Sequence, residues 1–135
     1  MPSKELQERY MQFQMLHQQA MKSQQQVQQI SDQINELNVI KEGLEDISKT
    51  DLETELLVPI SSGIFVKAKL IDNTKVHVNV GNNVTVKKSM NQADVLIKEQ
   101  IVQLQDVQHK LTSDLSNMEM QLKVIEEQIM KEQKD

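Results

Sequence analysis

The feature that most restricts the possible folds of this chain is a run of apolar residues near its C-terminal end, spaced alternately four and three positions apart. An average spacing of 3.5 residues is typical of a helix that packs along one narrow seam against another helix. The sequence therefore predicts a long coiled-coil helix. Its predicted seam consists of Ile97, Ile101, Leu104, Gln108, Leu111, Leu115, Met118, Leu122, Ile125 and Ile129.

The N-terminal part of the chain carries a second, less regular apolar stripe. In this stripe Gln24, Val27 and Ile30 follow one another at two successive spacings of three residues. Such a stammer overwinds a coiled coil locally. Because an apolar stripe left in water is unfavourable, we expect the two stripes to cover each other in an antiparallel two-helix coiled coil. The residues assigned to this second seam are Leu6, Tyr10, Phe13, His17, Ala20, Gln24, Val27, Ile30, Ile34, Leu37, Leu44 and Ile47, with either Ile40 or Lys41 between Leu37 and Leu44.

Between the two helices the apolar residues alternate with a period of two, which is the pattern of strands with one apolar face. Turn residues at 61-SSG-63, 72-DNT-74 and 81-GNN-83 separate four runs and predict two successive hairpins. Pro59 cannot donate a ladder hydrogen bond, so its strand should lie at an edge or carry a bulge. The apolar strand face consists of Leu56, Val58, Ile60, Ile64, Val66, Leu70, Val76, Val78, Val80, Val84 and Val86.

We expect this strand face to be an oligomerisation surface. Both helical seams are used in the coiled coil, so nothing else in the chain is left to cover the strands. An uncovered apolar sheet with open edges associates with other chains. The predicted fold is mostly α within the α+β class, with helix over residues 1–50, the hairpins over 51–88 and helix over 89–135 in a single domain. The hairpins of several subunits are expected to bury their apolar faces together.

Composition and charge exclude several functional classes. The net charge of −5 argues against nucleic acid as the main partner, and the chain has no cysteine for a disulfide or a thiolate metal site. The three histidines (His17, His77 and His109) are far apart in sequence, and no catalytic or nucleotide-binding motif occurs. We therefore predict no enzymatic activity, no cofactor and no metal. Without a signal-peptide-like or membrane-spanning segment, a cytoplasmic protein is expected.

The halves of the helices that are farther in sequence from the strands contain Met11, Met15, Met21, Met118, Met120 and Met130. Met side chains are flexible and polarizable, and they adapt to varied apolar partners. We therefore predict that the helix ends bind apolar segments of other proteins. An alternative is that Tyr10, Phe13 and Met118 only fill the seam. The predicted contact residues are Tyr10, Met11, Phe13, Met15, Leu16, Met120, Ile125, Ile129 and Met130.

The segment 57-LVPISSGIFVKAKLIDNTKVHVNVG-81, followed by the return to helix in 84-VTVKKSMNQADVLI-97, resembles the α class of prefoldin subunits of the archaeal type. Two hairpins between matched helices are similar to the α class, whereas the β class has one. The resemblance implies a cytoplasmic hexamer of two α and four β subunits, joined through a double β-barrel. It also implies that the arm ends hold non-native polypeptides and pass them to a group II chaperonin without using a nucleotide.

Two other functions remain open from the residues alone. A coiled-coil oligomer that only tethers its partners would share the helices and strands but would not need exposed Met residues at the helix ends. A helical arm that grips nucleic acid would carry a Lys/Arg stripe, whereas the first helix is rich in Gln.

Overall fold

The computed structural model describes residues 3–134 and shows two long helices joined by two β-hairpins. The elements in chain order are α1 (Lys4–Lys49), β1 (Glu55–Ser61), β2 (Ile64–Lys69), β3 (Lys75–Gly81), β4 (Val84–Ser89) and α2 (Met90–Lys134). The predicted fold class, mostly helical with a central insert of two hairpins, is confirmed. Neither helix carries, within residues 3–134, an apolar stretch that could cross a bilayer.

Both helices begin at side-chain caps that follow from their sequence. The Leu6 amide donates to the Ser3 hydroxyl at 3.1 Å at the start of α1. At the start of α2, the Gln92 amide donates to the Ser89 hydroxyl and the Ser89 amide donates to the Gln92 side-chain oxygen, each at 3.1 Å. This reciprocal pair is a capping box, which satisfies two backbone donors that a helix start leaves unpaired.

The chain divides into two compact units. The first unit contains the residues up to Ile34 and those from Gln103 onward, so its described part is almost entirely helical. The second unit runs from Asn35 to Val102 and contains all four strands together with the adjoining helix segments.

The predicted seam of α2 is confirmed. Every one of its ten residues from Ile97 to Ile129 is buried or half-buried, and residues between them, such as Glu99 and Asp106, are exposed. Ile101 and Ile129 are the most deeply covered of the ten. Even the polar Gln108 is half-buried, as its place in the seam requires.

The seam of α1 differs from the predicted one at three positions. Tyr10, His17 and Gln24 are exposed, and their neighbours Arg9, Leu16 and Ser23 are half-buried in their place. The α1 seam therefore alternates steps of three and four without interruption from Leu6 to Ile34, and the predicted stammer was wrong. Each of the three predicted positions, Tyr10, His17 and Gln24, lies one residue beyond the position that the seam occupies.

Two contacts explain how α1 accommodates this seam. The guanidinium of Arg9 forms an ion pair with Glu132 of α2, so a cation can occupy the seam with its charge compensated. The ring of His17 stacks on Phe13, with the ring centroids 6.0 Å apart and the planes 13° from parallel. His17 thus lies beside the seam rather than in it.

The helix segments of the first unit run antiparallel. Arg9 contacts Glu132, Tyr10 accepts a hydrogen bond from Gln133, and Ser31 accepts one from Gln108. From the pairs at Arg9 and Tyr10 to the pair at Ser31, the residue numbers rise along α1 while those of the partners fall from 132 and 133 to 108 along α2. This is the antiparallel pairing expected when two stripes joined by a short insert cover each other.

Each hairpin is a separate two-stranded antiparallel sheet. Hairpin 1 pairs β1 with β2, with Val58 opposite Val66, and its register shifts between Pro59 and Ser61. This irregularity is the bulge that Pro59 predicted. Hairpin 2 pairs β3 with β4, with Val78 opposite Val86, and it shifts between Asn79 and Gly81.

The turns of the two hairpins differ in backbone conformation. In hairpin 2 both central residues have positive φ, 50° at Asn82 and 60° at Asn83, which is the requirement of a type I′ turn. In hairpin 1 Gly63 has a φ of 80°, as a type II turn requires at its third position. Leu70, which we expected in the second strand, lies just beyond β2 and still donates its amide to Thr54.

Candidate functional site

Hairpin 1 exposes much of its predicted apolar face. Val58 and Val66, which are cross-strand partners, are 41% and 43% exposed, and Ile60 is 66% exposed. Leu56 and Ala68, the next pair along the same face, are half-buried. These large β-branched side chains are open in the single chain, and their burial against another chain would be favourable.

Hairpin 2 is partly covered by the chain itself, which corrects the expectation that nothing else could face the strands. Val76 and Val78 of β3 are half-buried. They line a groove of about 580 Å³ that helix residues of the same unit also line. The helical residues that line the groove are Leu37, Ile40, Leu44, Ala93, Leu96, Ile97 and Gln100.

The groove is possible because the helices present more than a narrow seam near the strands. Ile40 is exposed while Lys41 occupies the seam position beside it, so an apolar side chain is available outside the coiled coil. The remaining predicted strand residues, Val80, Val84 and Val86, stay exposed. The strand face is therefore partly covered at Val76 and Val78 of β3 and at Leu56 and Ala68 of hairpin 1, and it is open elsewhere.

Sequence reasoning missed a second apolar surface on hairpin 1. Leu57 and Phe65 are 66% and 56% exposed and lie on the opposite face from Val58 and Val66. The signal was present as the adjacent apolar pairs 56-LL-57 and 64-IF-65, which break the strict alternation of a one-faced strand.

Asp72 fixes the connection between the two hairpins. Its carboxylate oxygen Oδ1 accepts hydrogen bonds from the Thr74 amide at 2.8 Å, the Thr74 hydroxyl at 2.8 Å and the Lys75 amide at 3.2 Å. The bonds from Thr74, which favour the charged carboxylate, lower the pKa of Asp72 below its ordinary value. The Asn73 side chain also donates to the Thr50 carbonyl at 3.0 Å and ties this connection to the end of α1.

The predicted contact residues at the helix ends fall into two groups. Those in the first group are exposed, and Met11 and Met120 are 62% and 66% exposed. Those in the second group lie in the seam, where Ile129 is buried. The exposed group is Tyr10, Met11, Met15, Met120 and Met130, and the seam group is Phe13, Leu16, Ile125 and Ile129.

An open apolar depression adds to the exposed group on α2. It has a volume of about 310 Å³ and is lined by Met120, Gln121, Val124 and Ile125. Val124 and the α1 residue Met21 are exposed, although neither was among the predicted contact residues. We call Met11, Met15, Met21, Met120, Val124 and Met130 the arm-end surface.

A comparison of the sequence with protein families matches residues 16–135 to the model described as Prefoldin, prefoldin subunit. The chain belongs to the prefoldin family. Its similarity to the α class is confirmed by curated relatives. Prefoldin subunit alpha 1 of Thermococcus kodakarensis is 33% identical over 99 residues, which cover 73% of this chain and 68% of that protein.

Other relatives and a solved structure extend this prefoldin assignment over most of the chain. Prefoldin subunit alpha of Archaeoglobus fulgidus is 26% identical over 126 residues, covering 93% of this chain and 92% of that protein. A chain of the filamentous PFD of Methanocaldococcus jannaschii, solved by cryo-EM, shares the fold with a TM-score of 0.75. That match has 18% identity and covers 84% of this chain and 93% of the other. Prefoldin subunits are chaperone components rather than enzymes.

Proposed function

We propose that this prefoldin α subunit holds non-native polypeptides at its arm-end surface and passes them to a group II chaperonin, without a nucleotide. The proposed assembly contains two copies of this chain and four β-class subunits, joined through the strands, and acts in the cytoplasm. The observation that carries the proposal is the exposure of apolar side chains at both helix ends. A passive tether has no use for such side chains.

The arm-end surface suits weak and unselective binding. Five of its six members are Met residues more than half exposed: Met11, Met15, Met21, Met120 and Met130. Unbranched thioether side chains can repack against different apolar partners at little energetic cost. The depression beside Met120 and Val124 is open rather than enclosed and has no polar side chain other than Gln121. Such a surface accepts an apolar segment without selecting its sequence.

Several arms acting together would make this weak binding effective. When one unfolded chain is held by one arm, the other arms meet its remaining apolar segments at high effective concentration. The overall affinity then exceeds that of a single arm without any strong individual site. The seam residues Phe13 and Ile129 would add to the surface only where the helix ends separate, because they are covered in the closed coil.

The strands supply the assembly that this mechanism needs. The exposed Val58, Val66 and Ile60 of hairpin 1 support association through the strands. In hairpin 2 the exposed Val80 and Val86 do the same, beside the groove that the chain leaves open. Burial of these side chains between subunits would leave the arm-end surface free for a client.

The proposal is tested by making the arm-end surface polar in the assembled protein. The variant carries Met11→Gln, Met15→Gln, Met120→Gln and Met130→Gln, and it is mixed with a β-class prefoldin subunit. Suppression of the aggregation of chemically denatured citrate synthase is followed by light scattering. We expect the variant to assemble normally and to lose most of the suppression.

A matched control changes exposed apolar residues of α2 that lie outside the arm-end surface. Val95→Gln and Val102→Gln replace two apolar side chains nearer the strands, each of which is more than half exposed. We expect this control to suppress aggregation as the unchanged protein does. Equal suppression by the arm-end variant and the control would contradict the proposal, and a normal oligomer without any suppression by the unchanged protein would favour a tether.

A further inference from the structure

The second face of hairpin 1 carries an apolar patch that one-sided assembly does not use. Pro59 lies opposite Phe65 and Leu57 lies opposite Lys67, so these four side chains share one face of the sheet. The other face holds Val58 and Val66. A strand pair that only needs to close a barrel requires one apolar face, yet this hairpin has two. We call Leu57, Pro59 and Phe65 the outer patch.

Hairpin 2 provides an internal comparison. Its corresponding second face carries His77 opposite Lys87 and Asn79 opposite Thr85, and all four are polar and exposed. Both hairpins have similar length, antiparallel register and a bulge near the turn. The outer patch is therefore not a general requirement of such a hairpin, and the two hairpins differ in what their second faces can bind.

The charge around the outer patch is positive in an otherwise acidic chain. Lys67 lies beside the patch and Lys69 follows on the same face, with Glu55 as the single carboxylate across the strand. On this face of hairpin 1 two Lys residues outnumber one Glu, although the whole chain has a net charge of −5. An open depression of about 190 Å³, lined by Glu55, Lys67, Ala68 and Lys69, continues from this end of the patch.

We propose that the outer patch binds a short acidic segment of another protein, anchored by one or two large apolar side chains. This inference rests on the proposed assembly, which uses the Val58 and Val66 face and leaves the outer patch exposed. Leu57 and Phe65 take up the apolar anchors, and Lys67 and Lys69 attract the flanking carboxylates. Charge complementarity selects an acidic partner over the basic or neutral segments that would compete for the same apolar surface.

Binding is tested in the assembled protein with a labelled probe. The probe is a fluorescein-labelled peptide of about ten residues, the size of a short recognition segment, in which Glu alternates with Leu or Phe. Its partner peptide replaces every Glu by Lys. The oligomer is prepared with a β-class subunit and verified by native mass spectrometry, and affinity is measured by fluorescence anisotropy. We expect the acidic probe to bind about tenfold or more tightly than the Lys peptide.

Three variants assign the binding to the outer patch. Leu57→Ser with Phe65→Ser should weaken the acidic probe about tenfold or more. Lys67→Glu with Lys69→Glu should reverse the preference and favour the Lys peptide. His77→Ser with Thr85→Ala, on the second face of hairpin 2, is the matched control and should bind the acidic probe unchanged.

The outcomes separate this inference from the proposed function. If Leu57→Ser with Phe65→Ser binds the acidic probe as tightly as the hairpin 2 control does, the acidic-segment inference is overturned. The proposed client binding would still stand if the oligomer continued to protect citrate synthase from aggregation. Loss of the oligomer in the outer-patch variant would overturn the acidic-segment inference as well, since that result places Leu57 and Phe65 in a subunit interface. Leu57→Cys tests the exposure of this position separately: fast reaction of its thiol with a maleimide in the oligomer is expected, and a thiol that is blocked in the oligomer would overturn the inference.

Discussion

The side-chain amide of Gln108 in α2 donates a hydrogen bond to the hydroxyl of Ser31 in α1 at 3.0 Å. Gln108 is the single polar member of the predicted α2 seam, and both residues are half-buried. Two polar side chains within an apolar seam can hydrogen bond to each other in only one alignment of the two helices. Gln108 and Ser31 thus link the sequence of the seam to the register of the first unit.

Gln108→Leu is expected to raise the free energy of unfolding and to weaken the register. The apolar side chain adds about 1 kcal/mol of burial, and Ser31 can turn to water because it is only half-buried. Loss of the polar pair also permits a slide of one heptad, about 10 Å along the axis. The chain has no cysteine, so nitroxides can be placed uniquely at the exposed positions of Met11 and Met130.

Pulsed electron spin resonance between these two labels measures the register directly. We expect one distance population in the parent protein and a second, longer one in Gln108→Leu. Leu111→Val, an apolar change in the same seam, is the control and should keep a single population. A single unchanged population in Gln108→Leu would show that the polar pair does not set the register.

The ion pair between Arg9 and Glu132 is expected to hold the outer ends of the helices together at modest energetic gain. Both side chains are about a third exposed, and oxygen Oε2 of Glu132 is buried without a partner, which offsets part of the attraction. Glu132→Ala should therefore lower the free energy of unfolding by less than about 1 kcal/mol. Amide hydrogen exchange in the first three turns of α1 should become faster.

A charge exchange at the same two positions is the control for this prediction. Arg9→Glu combined with Glu132→Arg should restore slow exchange, whereas either reversal alone should speed it further by placing like charges together. Exchange rates that stay the same in Glu132→Ala would show that the ion pair does not restrain the helix ends.

Asp72 is expected to titrate at a lower pH in the folded protein than in an unfolded peptide of the same sequence. Its pKa is lowered by the hydrogen bonds from Thr74 and, more weakly, by those from Lys75 and the charge of Lys87. Because the folded pKa lies below the unfolded one, the stabilisation is present above the unfolded pKa and is lost as the pH falls through the folded pKa.

Carbon-13 nuclear magnetic resonance of the Asp72 carboxyl measures this titration. Asp72→Asn keeps an acceptor oxygen without the charge, so the stability of this variant should lack the acid-dependent contribution of Asp72. A titration midpoint in the folded protein equal to or above that of the peptide would contradict the role assigned to the hydrogen bonds.

Substitution of two glycines by Ala is expected to have opposite effects on stability. Gly81 has a φ of 118°, which L side chains rarely adopt, so Gly81→Ala should destabilise hairpin 2 by about 1–3 kcal/mol. Gly43 is helical with nothing within 4 Å of an added Cβ, so Gly43→Ala should stabilise α1 by about 1 kcal/mol.

Chemical denaturation and hydrogen exchange of the β4 amides check these signs. Asn83→Gly is a control in the same turn, and it should be close to neutral because Asn-Gly suits a type I′ turn. The expected effects would be contradicted if the β4 amides exchanged faster in Gly43→Ala, or if their exchange rates did not increase in Gly81→Ala.

Much of the fold could be predicted because local chemistry and periodicity agree. The α2 seam is apolar at all positions but Gln108, so its phase has one solution. Ser89 and Gln92 have the spacing of a capping box, and Pro59 lacks the donor that a regular strand needs. Each of these features depends on residues close in sequence, which is why the sequence alone was sufficient.

The errors arose where a partner distant in sequence decides the outcome. Arg9 lies in the α1 seam because Glu132 compensates its charge, and nothing local indicates this. The partial cover of Val76 and Val78 depends on helix residues such as Ile40 that lie outside the seam. At the arm ends, the predicted seam itself separates buried Ile129 from exposed Met120, although the methionine-rich composition led to both being predicted as contact residues.

Native mass spectrometry of this chain mixed with a β-class prefoldin subunit tests most directly whether the strands gather the subunits. The parent chain is expected to form a hetero-oligomer with two copies of itself. Val58→Asp with Val66→Asp should stay unassembled while circular dichroism shows unchanged helix content, since charged pairs cannot be buried on that face. A parent chain that remains a monomer with its partner present, or a double variant that assembles as well as the parent, would contradict assembly through the strands.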